Sequence, residues 1–105
     1  MREENKWKLI PSMETPRYWF GATAIGENIY VAGGCNNQYK SLSSVEVYDS
    51  KINKCPSLLD MTNKRHRCTV TSVNGKVYVI GGNDGYGSFS SSEMFDPATN
   101  KWTVL

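Results

Sequence analysis

The stretch IYVAGG, residues 29–34, has a near copy in VYVIGG, residues 77–82. Each copy joins four strand-favouring residues to two glycines. The preceding segments, GATAIG (21–26) and CTVTSV (68–73), are also strand-like, and the turns GEN and NGK connect them to the copies. Each unit therefore contains a predicted hairpin that ends in a glycine pair, where positive φ and close backbone approach are permitted.

The repeat extends on both sides of the glycine pairs. The shift between matching residues is 48 up to the glycines and 47 from Ser44 onward, which predicts a loop tolerant of insertion between them. The matching positions are Arg17 with Arg65, Gly33-Gly34 with Gly81-Gly82, Ser44 with Ser91, Tyr48-Asp49 with Phe95-Asp96, and Cys55 with Trp102.

Each unit holds two further predicted strands. SSVEVYD (43–49) and SSEMFD (91–96) alternate as a third strand, and DPATNKW (96–102) predicts a turn into a fourth strand around Trp102, or around Cys55 in the first unit. Four short antiparallel strands at this period describe a blade of a β-propeller. We expect an all-β fold with blades at residues 11–58 and 59–105. Residues 1–10, which carry a copy of the NKW found at 100–102, are expected to supply the outer strand of a preceding blade.

The spaced marks resemble the kelch repeat, whose signature is an arginine, a double glycine, an aromatic residue followed by aspartate, and a tryptophan. The resemblance covers nearly the whole chain and departs from the pattern at Cys55, which stands in the tryptophan position. Kelch propellers close with several blades, so the resemblance implies an incomplete propeller with uncovered strand edges. Two explanations stay open: the chain is an excerpt of a longer protein, or short chains assemble into a ring.

Charge and composition exclude several classes of function. With 12 basic and 10 acidic side chains the formal charge is +2, too low to predict nucleic-acid binding. No apolar run is long enough to span a membrane or serve as a signal peptide, so we expect a soluble protein in the cytosol or on the cytoskeleton. The three cysteines, Cys35, Cys55 and Cys68, fit no disulfide framework and are expected to be free thiols.

The sequence offers little for catalysis. His66 is the single histidine, and only Cys68 stands near it as a possible nucleophile. One histidine and three dispersed cysteines match no metal-ligand spacing, and the glycine-rich run after Ile80 lacks the residues of a phosphate-binding loop. We therefore expect no cofactor, no metal and no enzymatic activity. Oxidases on a kelch scaffold are a disfavoured alternative, since they need several histidine ligands.

In kelch domains of adaptor type, the two positions after the arginine and the first residues after the glycine pair line a peptide-binding mouth. Carried onto this chain, the resemblance implies partner contacts from Tyr18, Trp19, Cys35, Asn37, Lys40, His66, Arg67, Asn83 and Ser88. These side chains suit a short acidic peptide, because arginine pairs with carboxylates and aromatic rings anchor apolar groups. Trp19 could instead pack against a neighbouring blade. The basic cluster around Arg65 could be framework, a partner patch or a nuclear signal.

The resemblance suggests a protein-interaction module. In the kelch-like group an upstream BTB domain engages a cullin RING ubiquitin ligase, which implies substrate recognition for ubiquitination. Actin binding is a second family association. A BTB domain in flanking sequence would favour the adaptor, and co-sedimentation with filaments would favour actin.

The departure at Cys55 gives a first prediction. Because the family places a packed tryptophan there, Cys55→Trp should leave thermal stability unchanged or raise it. A clear fall in melting temperature on thermal unfolding would show instead that the site has repacked around sulfur.

Overall fold

The computed structural model describes residues 15–49, 51, 58–88 and 90–105. Within these ranges the chain forms seven β-strands and no helix. The described residues therefore contain no helix that could span a membrane. The strands are β1 (Gly21–Ile25), β2 (Asn28–Ala32), β3 (Val45–Asp49), β4 (Thr69–Val73), β5 (Lys76–Ile80), β6 (Ser92–Asp96) and β7 (Lys101–Val104). The predicted all-β fold is confirmed.

The strands form two antiparallel sheets in chain order, β1-β2-β3 and β4-β5-β6-β7. The turn between β4 and β5 uses Asn74 and Gly75, both with positive φ (51° and 78°), as a tight two-residue hairpin requires. In the turn between β6 and β7, the Thr99 amide donates to the Asp96 carbonyl at 3.2 Å, and the Asp96 carboxylate accepts from the Ala98 amide at 2.9 Å. This is the predicted aspartate-led turn.

The first sheet shows three strands among the described residues. The predicted fourth strand around Cys55, and the predicted strand in residues 1–10, lie outside the described ranges. Just beyond Cys55, the amide of Leu58 donates to the carbonyl of Val45 at 2.8 Å. Its counterpart in the second unit, 47 residues on, is the bond from Leu105 to Ser92 at 2.9 Å, where the chain leaves β7 alongside β6.

The one-residue difference between the units lies in the loop after the glycine pair. Isolated β-bridges join Cys35 to Ser41 in the first unit and Asn83 to Ser88 in the second. The bridges enclose five residues in the first loop and four in the second. The insertion is thus confined to a loop tip, and the strands on either side keep their register.

The hydrophobic core lies between the two sheets. Tyr30, Val45 and Val47 of the first sheet pack with Val77 and Phe95 of the second. Trp102 packs against the edge of this core, and its indole N–H donates to the carbonyl of Leu59, in the segment linking the units, at 3.0 Å. Trp102 therefore ties the last strand of the second blade to the segment that links the two units.

A buried arginine organises each unit. In the second, Arg65 is fully buried and its NH1 donates to the carbonyls of Gly81 and Ser91, both at 2.8 Å. Its NH2 and Nε lie 3.1 and 3.2 Å from Oε2 of the fully buried Glu93. The Glu93 carboxylate also accepts from the amide of Thr62 at 2.6 Å. Every charge removed from water here is matched by hydrogen bonds, the condition under which burial is tolerated.

The first unit repeats this arrangement except at Nε of Arg17, which is buried and has no hydrogen-bond partner among the described residues. Arg17 donates to the carbonyls of Gly33 and Ser44 at 2.9 Å and to Oε2 of Glu46 at 2.7 Å. In each unit the arginine links the segment before the first strand (β1 or β4) to the glycine pair and to the third strand (β3 or β6). The paired arginines and glutamates of the repeat are therefore one structural element, which holds three parts of a blade together.

The glycine pair allows the two units to approach. Gly33 and Gly34 have φ of 68° and 97°, and the Gly34 amide donates to the carbonyl of Arg65 at 2.7 Å. A Cβ on Gly33 would overlap that same carbonyl oxygen. Backbone contact between the blades therefore requires glycine here, on grounds of both conformation and space.

We predict that Glu93→Gln destabilises the chain by about 3–5 kcal/mol, because it leaves the Arg65 charge buried without its counter-ion. Urea unfolding followed by tryptophan fluorescence measures the change. Glu27→Gln, at an exposed position in the turn between β1 and β2, is the matched control and should stay within about 0.5 kcal/mol of the wild type. Equal midpoints for the two variants would contradict the role given to the ion pair.

A second prediction separates conformational strain from steric overlap at the glycines. Gly26→Ala, at φ 59° with nothing near its Cβ, should cost about 1–2 kcal/mol for the left-handed conformation alone. Gly33→Ala should cost about 1–3 kcal/mol more, because its methyl group also displaces the Arg65 carbonyl. If urea unfolding gives the two variants the same stability, the close approach of the blades is not what selects glycine.

Candidate functional site

The loops of the two units meet at one end of the sheets. Pairing of Gly21 with Ala32 places the segment before β1 beside the segment after β2, and pairing of Thr69 with Ile80 does the same in the second sheet. We call the combined surface of residues 18–20, 35–41, 64–67 and 83–88 the mouth surface. It contains all nine residues that the sequence predicted to contact a partner.

The centre of the mouth surface is a contact between repeat-equivalent residues of the two blades. Trp19 and Arg67 are 48 positions apart, and both have positive φ (59° and 55°). The Arg67 amide donates to the Trp19 carbonyl at 2.7 Å, and the guanidinium carbon lies 4.0 Å from the centroid of the Trp19 ring. Both side chains are exposed, Trp19 to 44%. Such stacking attracts the cation and leaves the edge of the guanidinium open to solvent.

Aromatic rings extend from this pair across the mouth surface. Tyr18 makes edge contacts with Trp19 at 5.3 Å and with Tyr39 at 5.9 Å between centroids, and the ring of His66 lies 5.9 Å from that of Trp19. Partial burial raises the pKa of the Tyr18 phenol, and its neighbour Tyr39 adds to the effect. Trp19 thus packs against the next blade, which is one of its two predicted roles, and its exposed part remains accessible for the predicted partner contact.

His66 is held by a residue that sequence reasoning missed. The hydroxyl of Ser41 lies 2.6 Å from Nδ1 of His66 and donates to the carbonyl of Asn83 at 3.4 Å, so it joins the two blades. Its repeat counterpart Ser88 lies 3.5 Å from Nδ2 of Asn83. The match of Ser41 with Ser88 at a shift of 47 was a visible signal for this position.

The remaining predicted residues separate into different places. Lys40 is exposed beside the second blade, whereas Asn37 lines a separate hollow with Thr15 and Pro16. Cys35 is fully buried, which corrects the prediction that its side chain lines the mouth. Its backbone bridges Tyr18 and Ser41 instead, and this central pairing encloses the side chain.

Two adjoining clefts lie at the edge of the mouth surface, the first between the two blades and the second within the second blade. One, of about 300 Å³, is lined by Tyr39, Lys40, Ser41, Lys64, Asp84, Gly85 and Tyr86. The other, of about 320 Å³, shares three of these residues and adds Thr62, Asn63 and Ser91. Lys64, Asp84 and Tyr86 were absent from the predicted site, although Lys64 belongs to the basic cluster around Arg65, and Asp84 and Tyr86 belong to the loop after the second glycine pair.

The cysteine that stands near His66 is a poor candidate nucleophile. Burial raises the pKa of the Cys68 thiol, which lowers its thiolate fraction at neutral pH. Burial likewise raises the pKa of Cys35. Among the described residues no three histidine, cysteine, aspartate or glutamate side chains gather in a way that could hold a metal ion.

Comparison with known proteins agrees with this architecture. The family model for the kelch motif matches residues 16–55 and 64–105. An F-box/kelch-repeat protein of Arabidopsis thaliana is 32% identical over 97% of this chain and 27% of its own length. A second one from that plant is 35% identical over 96% of the chain and 25% of its own length. Kelch-like protein 25 of Xenopus tropicalis is 28% identical over 98% of the chain and 17% of its own length.

The chain thus spans about a quarter or less of the length of these relatives. The family model covers both repeats, and its two matches contain both buried ion pairs and both glycine pairs. These residues, and the antiparallel sheets that they organise, establish that the chain belongs to the kelch-repeat family.

Proposed function

We propose that this chain is part of the substrate-recognition domain of an adaptor for a cullin RING ubiquitin ligase. In this proposal the mouth surface binds a short acidic segment of the target protein. The adaptor role rests on the resemblance to the kelch-like group, and it is supported by relatives whose names join kelch repeats to an F-box or place them among kelch-like proteins. A location in the cytosol is part of the same proposal.

The observation that carries the binding proposal is the Arg67 guanidinium stacked over Trp19 at 4.0 Å. Stacking fixes the plane of the guanidinium before a ligand arrives, which lowers the entropy lost on binding. The exposed edge of this group presents parallel N–H donors that match the two oxygens of a carboxylate. An aspartate or glutamate side chain of a target is the complementary partner.

The charge of the surrounding surface supports the same ligand. Among the described residues the ion pairs are Arg17 with Glu46 and Arg65 with Glu93, both buried in the framework. Arg67, Lys40 and Lys64 form no ion pair within those ranges. The mouth surface therefore carries uncompensated positive charge, which favours the approach of an acidic segment.

The two-blade contact also explains why a peptide, and not a small molecule, is the expected ligand. The aromatic row from Tyr39 to Trp19 is open to solvent, and residues from both blades contribute to the surface beside it. Surfaces of this kind recognise extended chains through a few aromatic and arginine anchors. The rigid blades beneath hold these anchors in place.

We predict that Arg67→Glu reduces binding of acidic peptides at least about tenfold, because it replaces a charge-assisted hydrogen bond with repulsion. An array of extended peptides, each present as a glutamate and a glutamine version, measures the difference directly. Trp19→Ala should weaken the same peptides by releasing the guanidinium. Lys101→Glu, on the exposed start of β7, is the matched charge reversal and should bind as the wild type does.

Binding of the glutamate peptides that survives both Arg67→Glu and Trp19→Ala would remove the mouth surface from consideration. The adaptor role is tested separately, by affinity purification of the longest natural protein that contains this chain. Recovery of a cullin supports the role, and co-sedimentation with actin filaments without a cullin contradicts it.

A further inference from the structure

We propose that the cleft between the two blades binds a phosphorylated serine or threonine side chain of the partner. This inter-blade cleft is the one lined by Tyr39, Lys40, Ser41, Lys64, Asp84, Gly85 and Tyr86. The inference rests on the proposed function, since it assigns a second subsite beside the carboxylate site at Arg67. It concerns residues outside the positions at which the family's resemblance implies contacts, apart from Lys40.

The first argument is the placement of two ammonium groups. Lys40 comes from the loop after β2 and Lys64 from the segment before β4, so each blade supplies one lysine to the lining of the cleft. Both are exposed, and within the described residues neither forms an ion pair with a carboxylate. Two like charges facing one cavity repel each other unless an anion lies between them.

The second argument concerns the acidic residue of the cleft. Oδ1 of Asp84 accepts hydrogen bonds from the amides of Tyr86 at 2.8 Å and Gly87 at 3.1 Å. These bonds direct the carboxylate to its own loop, where it forms the turn and its charge is partly satisfied by the backbone. Asp84 therefore shapes this loop, and the lining of the cleft, with two ammonium groups and one carboxylate, keeps a net positive charge.

The third argument distinguishes phosphate from carboxylate. A carboxylate is planar and is matched by a guanidinium, whereas ammonium groups act as point charges that can approach a tetrahedral oxyanion from several directions. The lining of the cleft contains two lysines and no arginine. Its volume of about 300 Å³ leaves room for a phosphate group with its linking side chain, and the exposed side chains of Tyr39 and Tyr86 border it.

The fourth argument is that the lysines do not belong to the framework. Lys64 stands where the first repeat has Pro16, and Lys40 stands where the second repeat has Gly87. The tyrosines beside them do match, since Tyr39 corresponds to Tyr86 at a shift of 47. The repeat framework thus forms without a lysine at either position, and within the described residues the pair lies where the two blades meet.

Small probes test the site without a known partner. N-acetyl-phosphoserine N-methylamide and N-acetyl-aspartate N-methylamide are titrated into the isotope-labelled chain, and the amide resonances are followed by NMR. We expect the phosphate probe to bind more tightly and to shift the amides of Lys40, Lys64 and Tyr86. Lys40→Gln and Lys64→Gln should each weaken it about three- to tenfold, since each removes one charge-assisted contact at a solvent-exposed site.

Lys101→Gln is the matched control, because this lysine is exposed on β7 and lies outside the cleft. It should bind the phosphate probe as the wild type does. Equal affinity for the phosphate and aspartate probes would overturn the proposal. So would shifts that spread over all basic residues and are unaffected by the substitutions at Lys40 and Lys64.

A further comparison separates this inference from the proposed function. If Arg67-dependent capture of a partner is unchanged after phosphatase treatment of that partner, the phosphate subsite is wrong and the acidic-segment proposal stands. If the phosphate probe binds through Lys40 and Lys64 while Arg67→Glu leaves the affinity for acidic peptides unchanged, the cleft is an anion site. In that case the proposed binding of an acidic segment at Arg67 is wrong.

Discussion

The rest of the structure depends on the buried pairing of an arginine with a glutamate inside each blade. Arg65 reaches from the segment before β4 to Glu93 in β6 and bonds the carbonyl of Gly81 after β5. One side chain thus fixes the positions of three strands that are distant in sequence. Its own carbonyl accepts from Gly34 of the other unit, so the residue that orders one blade also docks the next.

The buried ion pairs position the segments that carry the mouth surface, although their own side chains are buried. The residues that follow the buried arginines, Trp19 and Arg67 among them, leave the framework at fixed places and meet across the junction. The loops after the glycine pairs differ in length by one residue between the units. Their tips can vary because a β-bridge at the base of each loop keeps the flanking segments paired. The residues proposed for recognition can therefore be replaced while the buried ion pairs stay intact.

The repeat pattern predicted the fold well because its signals are local or periodic. Strand alternation, the Asn74-Gly75 turn and the glycine pairs each follow from residue types at fixed spacing. The burial of Glu46 and Glu93 was not foreseen, although the two match each other in the repeat, because a glutamate in an alternating strand is ordinarily read as solvent-exposed. Their partners, Arg17 and Arg65, lie almost thirty residues away in the sequence, and at that separation the pattern of residue types does not predict a contact.

The candidate site was foreseen only in part. The family positions located the mouth surface, but a side chain's exposure there depends on loop packing, and Cys35 proved to be enclosed. The two lysines of the inter-blade cleft, Lys40 and Lys64, have no lysine at the matching position of the other repeat. Which two loops meet at the junction of the blades depends on the tertiary structure, and the repeat pattern in the sequence does not predict it.

The left-handed backbone at Trp19 and Arg67 has a consequence for how this surface can change. Glycine or asparagine would occupy such positions with less strain, so two bulky residues remain there against their conformational preference. Substitutions to glycine or asparagine that stabilise the backbone at these two positions would therefore remove the stacked side chains from the mouth surface. Under the proposed function, greater stability and peptide binding place opposite demands on the same pair of residues.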